Sequence, residues 1–287
     1  LLFSPEFTRH FRVWESHGFH VTPVHFYSPI PDTSKLPDEM WDAERSMRGI
    51  QMNEEAQLAL LNAWRPLADE YNQIPLDPTE TPERFYLRNP MFAGMDALVL
   101  YCMVRHFAPR VVIEVGSGFS TRLFLVAARR NGPTDIVCIE PYPDQVLKHN
   151  LPVTLHERRV QDVPLSLFDG LGSGDFLYVD SSHTVKAGGD VTHLVLQVLP
   201  RLNPAVIVHV HDIHLPPELP RERVVDNLQF WCEQDLLQAF LAFNGAFTVL
   251  MANAFLGHRH GGLLRELFPR SDWVGGGSFW VQREAWP

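Results

Sequence analysis

Cysteine is scarce in this sequence. Only Cys102, Cys138 and Cys232 are present among 287 residues, and each lies in an apolar stretch far from the other two. Disulfide frameworks and cysteine zinc sites need paired or clustered spacing, so we expect neither here. Three buried free thiols indicate a reducing compartment, and we therefore expect a cytoplasmic protein.

Long apolar runs and an excess of basic residues are also missing. No run is long enough to cross a bilayer, and residues 1–10 lack the basic and apolar segments of a signal peptide, so no membrane partner is expected. The formal net charge of −10 disfavours contact with phosphate backbones, and nucleic acid is not expected as a partner. The hydrophobic fraction of 45% predicts a sizeable core. A homo-oligomer is possible, since the composition does not determine the oligomeric state.

The chain has two regions of different character. Residues 1–88 are rich in proline, histidine, tryptophan and charge, and their weak periodicity predicts an N-terminal cap or lid, with one amphipathic helix over 54–71. Over residues 89–287, apolar strands alternate with helices, which is typical of a parallel sheet covered on both faces. We therefore predict an α/β, Rossmann-like three-layer sandwich with a mostly parallel, seven-stranded sheet.

The same pattern predicts the individual elements of residues 89–287. Helices are expected over 95–107, 120–130, 190–202 and 223–243. Strands are expected over 111–115, 136–139, 153–160, 176–179, 205–210, 247–252 and 278–282. Ligands of such sheets bind outside the carboxyl ends of the strands, so the residues at those ends are the candidate site residues.

The first of these strands ends in a glycine-rich turn at 114–118, with the sequence Glu-Val-Gly-Ser-Gly. Glycine lets a ligand approach the backbone closely. A dinucleotide-binding turn would have a third glycine where Thr121 stands, which weakens an assignment to NAD or FAD. The candidate cofactor-binding residues of this turn are Glu114, Gly116, Ser117 and Gly118.

Acidic or amide side chains follow the next three strands. Glu140 ends the second strand, where a carboxylate can accept hydrogen bonds from both hydroxyls of a ribose. Gln161 and Asp162 follow the third strand and suit the exocyclic amine of adenine, and Asp180 ends the fourth strand. NAD and S-adenosylmethionine share this ribose, but S-adenosylmethionine lacks phosphates and carries a sulfonium cation, which suits an acidic turn with Glu114. The set therefore predicts S-adenosylmethionine as the cofactor.

Histidine and aspartate residues follow the fourth and fifth strands. His183 lies three residues after Asp180, and His211 and Asp212 follow the fifth strand. Neighbouring parallel strands would bring the two loops together, so Asp180, His211 and Asp212 could chelate one divalent cation. Carboxylates suit Mg²⁺ or Mn²⁺, and an added imidazole favours Mn²⁺, Fe²⁺ or Zn²⁺. His183 could then remove the proton of a substrate hydroxyl as a general base.

Some of these side chains also have a structural interpretation. Each acidic residue taken alone could cap a turn, and the functional interpretation depends on four of them at successive strand ends. For His209 and His214, a hydrogen-bonded structural role is the better interpretation. The run His-x-His-Asp-x-His at 209–214 superficially resembles the zinc motif of metallo-β-lactamases, but its aspartate is displaced by one position.

The ordered set at the strand ends resembles the class I S-adenosylmethionine-dependent methyltransferases over roughly residues 89–287. The resemblance depends on the 114–118 turn, Glu140, Gln161, Asp162 and Asp180. The loops further resemble metal-dependent small-molecule O-methyltransferases, including catechol and macrolide-sugar types and relatives of cephalosporin hydroxylase. This implies a terminal antiparallel pair of strands, Mg²⁺ held by Asp180 and an acidic pair after the fifth strand, and a base at His183. The sequence departs from the family where His211 replaces the first acidic residue of that pair.

The predicted function is methyl transfer from S-adenosylmethionine to a hydroxyl of a small molecule, such as a sugar or a secondary metabolite, assisted by the divalent metal. Two alternatives stay open. In the first, His183, His211 and an aspartate hold Fe²⁺ in a redox enzyme on the same scaffold. In the second, the chain binds the cofactor without catalysing a reaction.

Overall fold

The computed structural model describes residues 4–270 and 274–285. The chain divides into two compact units, one formed by Leu1–Ala43 and Leu219–Phe230 and the other by Glu44–Glu218 and Trp231–Pro287. Residues 44–88 therefore belong to the larger unit, and the domain boundary at residue 88 stays a prediction.

The smaller unit contains helix α1 (Pro5–Ser16), which the sequence pattern did not predict. Proline stands at its first position, and Ser4 Oγ accepts a hydrogen bond from the Phe7 amide at 3.1 Å. Both features are typical of a helix start. Single turns lie at Thr33–Lys35, Asp38–Trp41 and Glu222–Asp226.

The described residues of the larger unit form a seven-stranded sheet. Its strands are β1 (Val111–Val115), β2 (Asp135–Ile139), β3 (Thr154–His156), β4 (Phe176–Val179), β5 (Ile207–Val210), β6 (Phe247–Ala252) and β7 (Phe279–Arg283). The strand order is β3-β2-β1-β4-β5-β7-β6, and β7 is antiparallel to both of its neighbours while the other pairs are parallel. The predicted mostly parallel sheet with a terminal antiparallel pair is confirmed.

The chain order reverses between β1 and β4. Right-handed crossovers place the connections of the two halves on opposite faces of the sheet. The helices of this unit are α2 (Glu54–Ala63), α3 (Ala68–Tyr71), α4 (Gly94–Phe107), α5 (Phe119–Ala128), α6 (Gln145–His149), α7 (Asp190–His193), α8 (Glu233–Leu241) and α9 (Asn253–Leu267). The Rossmann-like α/β fold is confirmed, and its switch point lies at the carboxyl ends of β1 and β4, where ligands of such sheets bind.

The hydrophobic core lies around the central strands and α4. Every residue of β4 and β5 is buried, and so are the α4 residues from Met95 to Val104. Cys102 and Cys138 are buried, Cys232 is partly buried, and all three are free. Among the described helices, none has the length and apolar character that a membrane crossing requires.

Several predicted elements have different bounds in the structure. The helix expected over 190–202 is an α-helix only in α7 and continues as a π-helical segment, Leu194–Val198, and a 3₁₀ turn, Leu199–Arg201. The helix expected over 54–71 is interrupted at the turn Arg65–Leu67, because Pro66 has no amide hydrogen to donate to the preceding turn. The third strand is only the three residues of β3 rather than 153–160. Helix α9 lies in a segment that we did not assign, since its glycines weaken any helical pattern.

The helix expected over 223–243 is interrupted, with a single helical turn at Glu222–Asp226 and a regular helix only at Glu233–Leu241. Leu228 takes a φ of 56°, which an α-helix does not allow, and the regular helix begins only at Glu233. There the amides of Cys232 and Glu233 donate to the carbonyl oxygen of His183 at 2.9 and 3.1 Å. Bonds to a loop distant in sequence therefore set the start of α8.

Candidate active site

The glycine turn after β1 is tied to the strands on both sides. The amide of Gly116 donates to the carbonyl of Ile139 at 3.1 Å, and the amide of Asp180 donates to the carbonyl of Val115 at 2.8 Å. Gly116 has a φ of +79°, and a Cβ at this position would overlap the carbonyl oxygen of Asp180. Only glycine fits this position, where the backbones of β1 and β4 come together.

Glu114 lies beneath this turn rather than on its surface. The side chain is fully buried, and its carboxylate accepts hydrogen bonds from the hydroxyls of Ser120 and Thr121. Burial in the core outweighs these bonds and raises the pKa of Glu114 to about 7. The carboxylate therefore supports the turn and the start of α5, and its predicted contact with a cofactor stays a prediction.

Glu140 lies at the edge of the turn. Its carboxylate accepts a hydrogen bond from the Ser117 amide at 3.3 Å and from the Tyr142 amide at 2.7 Å. The side chain is partly exposed. The turn and the end of β2 are thus brought together as the sequence predicted, with a carboxylate that has capacity for further donors.

Gln161 and Asp162 occupy a short turn after β3, Val160–Asp162. Gln161 donates to the carbonyl of Gly188, in the loop that follows β4, at 2.9 Å. Asp162 is exposed and accepts two hydrogen bonds from the Arg159 guanidinium, at 2.8 and 3.0 Å. Gln161 is therefore linked to the β4 loop, whereas Asp162 is engaged by its own turn.

The loops after β4 and β5 bring together two of the three predicted metal ligands, Asp180 and Asp212, and the third member of the group is His183 rather than the predicted His211. Asp180, His183 and Asp212 each offer one ligand atom, and these atoms all lie within 4.8 Å of one another. Nε2 of His183 lies 3.3 Å from Asp180 Oδ1 and 3.5 Å from Asp212 Oδ2. Nδ1 of His211 lies 3.6 Å from the same two carboxylate oxygens. His183, which the sequence predicted as the general base, thus lies among the side chains that could bind the cation.

Two further carboxylates, which the sequence analysis missed, contact the outer nitrogens of these histidines. Glu233 Oε2 lies 2.9 Å from Nδ1 of His183, and Asp96 Oδ2 lies 3.6 Å from Nε2 of His211. Both acidic side chains are buried. Asp96 could have been noticed as the one acidic residue within the apolar run of α4, whereas Glu233 resembles any acidic residue in a first helical turn.

Charges inside this cluster shift the pKa of each member. Burial opposes the protonated form of His183, but the carboxylates of Asp180 and Glu233 outweigh it and raise its pKa to about 9. For the same reason Asp180 raises the pKa of buried His211 well above its usual range. Burial opposes ionisation of Asp180, yet His211 and His183 hold its pKa well below the usual range. The cluster thus favours ionised carboxylates beside protonated imidazoles. A cation would compete with the imidazole protons for the same ring nitrogens.

Two residues of the cluster have backbone conformations that their side chains disfavour. His183 and Asp212 both have a φ of 55°, in the left-handed region that costs a non-glycine residue on the order of 1 kcal/mol. Hydrogen bonds from the amide and hydroxyl of Ser182 to Asp190 stabilise the first loop. The second loop packs on Gly277, where a Cβ would lie 2.7 Å from the Cα of Asp212. The surrounding fold therefore imposes these positions.

His209 has the structural role that the sequence analysis preferred. It is fully buried, Nε2 lies 2.9 Å from the Ser278 hydroxyl, and the ring stacks on Tyr178 with centroids 3.9 Å apart. Burial lowers the pKa of His209 well below its usual range, so it is neutral. This histidine contributes to the floor of the site rather than to its chemistry.

The central part of the chain is similar to proteins of a known family. A family model described as a methyltransferase domain matches residues 113–213. This range contains the glycine turn and Asp180, His183, His211 and Asp212. An uncharacterized protein of Archaeoglobus fulgidus is 32% identical over 165 residues, which cover 52% of this chain and 72% of that protein.

Solved structures are similar over most of the chain. One is the O-methyltransferase TomG of Streptomyces achromogenes, involved in tomaymycin synthesis and solved in complex with SAM, with a TM-score of 0.43 and 15% identity over 80% of this chain and 90% of that one. Another is an O-methyltransferase of Bacillus cereus in complex with SAH, with a TM-score of 0.41 and 13% identity over 79% of this chain and 91% of that one.

Proposed function

The chain belongs to the methyltransferase family whose model matches residues 113–213, and its sheet has the class I order; on that premise we propose that it transfers a methyl group from S-adenosylmethionine to a hydroxyl of a small molecule with the help of a divalent cation. One observation supports this most strongly. Asp180 has its backbone against Gly116 of the glycine turn and its carboxylate beside His183 and Asp212. Asp180 thus belongs both to the surroundings of the glycine turn and to the cation-binding residues. This would give the proximity that methyl transfer to a cation-bound hydroxyl needs.

The residues around the glycine turn suit S-adenosylmethionine. The left-handed backbone of Gly116 and the open space beside Gly118 allow close approach to the turn. Glu140, partly exposed at the end of β2, would bind the ribose hydroxyls. Gln161 and Asp162 would lie on the adenine side. When bound, S-adenosylmethionine supplies an electrophilic methyl group on its sulfonium.

The donors of the cluster suit a divalent cation. Asp180 and Asp212 offer carboxylate oxygens, and His183 offers Nε2 within the same small volume. A cation held there would supply Lewis-acid activation and orientation of the acceptor hydroxyl. Mixed carboxylate and imidazole donors suit Mn²⁺, Fe²⁺ or Zn²⁺ better than Mg²⁺.

His183 is proposed as a ligand of this cation rather than as the general base. Its Nδ1 contacts Glu233, and its Nε2 faces Asp180 and Asp212, so neither nitrogen is left to accept a proton from the substrate. The proton of the hydroxyl, whose pKa the cation would lower, would instead pass to solvent as the ether and S-adenosylhomocysteine form. The two roles differ measurably. Loss of a ligand weakens cation binding, whereas loss of a base lowers turnover and leaves cation binding unchanged.

We also propose a small-molecule acceptor and a cytoplasmic location. The three free cysteines support a reducing compartment. The net charge of −10 supports an acceptor other than nucleic acid.

Incubation of the full chain with S-adenosylmethionine, Mn²⁺ and a panel of sugars, phenols and amines tests the proposal. We expect S-adenosylhomocysteine to accumulate with a hydroxylated acceptor, together with an O-methylated product in the mass spectrum. Turnover that a chelator leaves unchanged would reject the role of the cation. S-adenosylmethionine binding without a product from any acceptor would support a non-catalytic binding protein, and stoichiometric iron with oxygen-dependent products would support a redox enzyme.

A further inference from the structure

We infer that this site binds its cation through two histidine–carboxylate pairs, in which Glu233 positions His183 and Asp96 positions His211 as donors beside Asp180 and Asp212. The inference rests on the proposed function in so far as a cation binds at this cluster. It adds a fourth donor and two positioning residues to that proposal.

The first pair holds His183 by both its side chain and its backbone. Glu233 Oε2 accepts hydrogen bonds from Nδ1 of His183 and from the Ser181 hydroxyl, each at 2.9 Å. The amides of Cys232 and Glu233 donate to the His183 carbonyl, and the Trp231 ring lies 4.4 Å from the imidazole. The imidazole is thereby fixed with Nε2 toward the two aspartates.

The second pair connects His211 to the buried part of α4. Asp96 is fixed by three donors, the side-chain amide of Asn253 at 2.8 Å and the backbone amides of Ser278 and Gly277 at 2.8 and 3.0 Å. Its Oδ2 also lies 3.6 Å from Nε2 of His211. Nδ1, on the other side of the ring, faces Asp180 and Asp212. The ring thus bridges a rigid buried carboxylate and the cluster.

His211 has an unmet bonding requirement. The residue is more than nine-tenths buried, and neither ring nitrogen has a hydrogen-bond partner among residues 4–270 and 274–285. Buried polar atoms are nearly always bonded. A cation on Nδ1 would satisfy one nitrogen, and a short approach of Nε2–H to Asp96 would satisfy the other, in the manner of carboxylate–histidine–metal triads.

The distance of each histidine nitrogen from the two aspartate oxygens is consistent with one shared ion. Each histidine nitrogen lies 3.3–3.6 Å from the oxygens of Asp180 and Asp212. Two donors that share an ion at about 2.1 Å from each lie roughly 3–3.5 Å apart. Two imidazoles in the donor set favour Mn²⁺, Fe²⁺, Co²⁺ or Zn²⁺ over Mg²⁺, which prefers oxygen.

Asp175 shows what a buried carboxylate without such a role looks like in this protein. It is 1% exposed and accepts hydrogen bonds from the backbone amides of Arg110, Val111 and Gly172. It lies just before β4, at the opposite end of the strand from Asp180. Asp175→Asn therefore repeats the charge change of Asp96→Asn away from the cluster and serves as the matched control.

Titration of the chelator-treated full chain with Co²⁺, Mn²⁺ and Mg²⁺, without S-adenosylmethionine or acceptor, tests the inference. We expect tighter binding of Co²⁺ and Mn²⁺ than of Mg²⁺, and Co²⁺ absorption bands that indicate imidazole ligands. Asp96→Asn and Glu233→Gln should each weaken Co²⁺ binding about 10- to 100-fold and shift these bands, while Asp175→Asn leaves both unchanged. Wild-type affinity and spectra in both variants, or equal losses in all three, would overturn the inference.

Two further outcomes separate this inference from the proposed function. Cation binding that depends on Asp96 and Glu233 in a chain that methylates no acceptor supports the inference and rejects the proposed function. Mg²⁺-supported methyl transfer that Asp96→Asn and Glu233→Gln both retain supports the proposed function and rejects the inference. If Asp96→Asn does not fold, Glu233→Gln decides the outcome, because the described partners of the Glu233 carboxylate, Ser181 and His183, lie in the loop after β4.

Discussion

Gly116 and Asp180 are in backbone contact where β1 and β4 end, and no side chain fits between them. This contact joins the glycine turn to the loop that holds the cation cluster. A small displacement on one side would therefore move the other, and the proposed chemistry depends on both.

Gly116→Ala should destabilise the protein and abolish S-adenosylmethionine binding. An alanine at a φ of +79° whose Cβ overlaps the Asp180 carbonyl should cost about 2–4 kcal/mol of unfolding free energy. Gly170→Ala is the matched control, since no atom lies within 4 Å of a Cβ there and the residue lies outside the proposed site. Urea denaturation measures the first effect and calorimetry the second. Equal stability of the two variants would contradict the assignment of Gly116.

Glu114→Gln should remove a pH dependence of stability. The pKa of Glu114 is about 7 in the folded chain against an ordinary 4.5, so the folded state binds the proton more tightly. Its contribution is fully present below pH 4.5 and is lost as the pH rises through about 7. Between pH 4.5 and 8, the unfolding free energy of the wild type should fall by about 3 kcal/mol more than that of Glu114→Gln. Urea denaturation at pH 4.5 and 8 measures the difference, and parallel profiles would count against a protonated Glu114.

Glu140→Gln should weaken S-adenosylmethionine binding about 10-fold, because hydrogen bonds to a charged group contribute roughly 1.5–3 kcal/mol each. Asp135→Asn, at the opposite end of β2, should bind as wild type. Calorimetry of both variants measures the affinities. If both bind equally well, Glu140 does not contact the ribose.

Asp212→Asn should lower cation-supported turnover at least 100-fold while changing S-adenosylmethionine affinity less than threefold, since the residue lies on the cation side of the site. Asp235→Asn, on the exposed side of α8 with Arg45 as partner, should retain full turnover. Assays with saturating Mn²⁺ measure both. A cofactor affinity that falls with turnover would indicate that Asp212 supports the whole fold of the site.

The sequence predicted the parts of the site that depend on strand ends. In a parallel sheet the carboxyl ends of all strands lie at one edge, so Glu140, Asp180 and Asp212 could be assigned to the same edge from the strand pattern. The orientation of Glu114 was harder to foresee, because it depends on which face of β1 the side chain takes. In the structure, the Glu114 side chain points into the core, beneath the glycine turn.

The parts that were missed depend on contacts between distant segments. The start of α8 is set by bonds to the His183 carbonyl, which no local pattern reveals. Asp96 and Glu233 reach the histidines from helices α4 and α8 across the fold. A carboxylate inside an apolar helix is costly to bury, and for Asp96 that cost was the available signal.

A crystal structure of the full chain with S-adenosylhomocysteine and Mn²⁺, with anomalous data at the manganese edge, tests the central claim most directly. We expect the thioether sulfur near Gly116 and one anomalous peak bonded by Asp180, Asp212 and the imidazole nitrogens of His183 and His211. A nucleoside bound away from the glycine turn, or manganese bound away from Asp180, would contradict the claim that this residue joins the two sites.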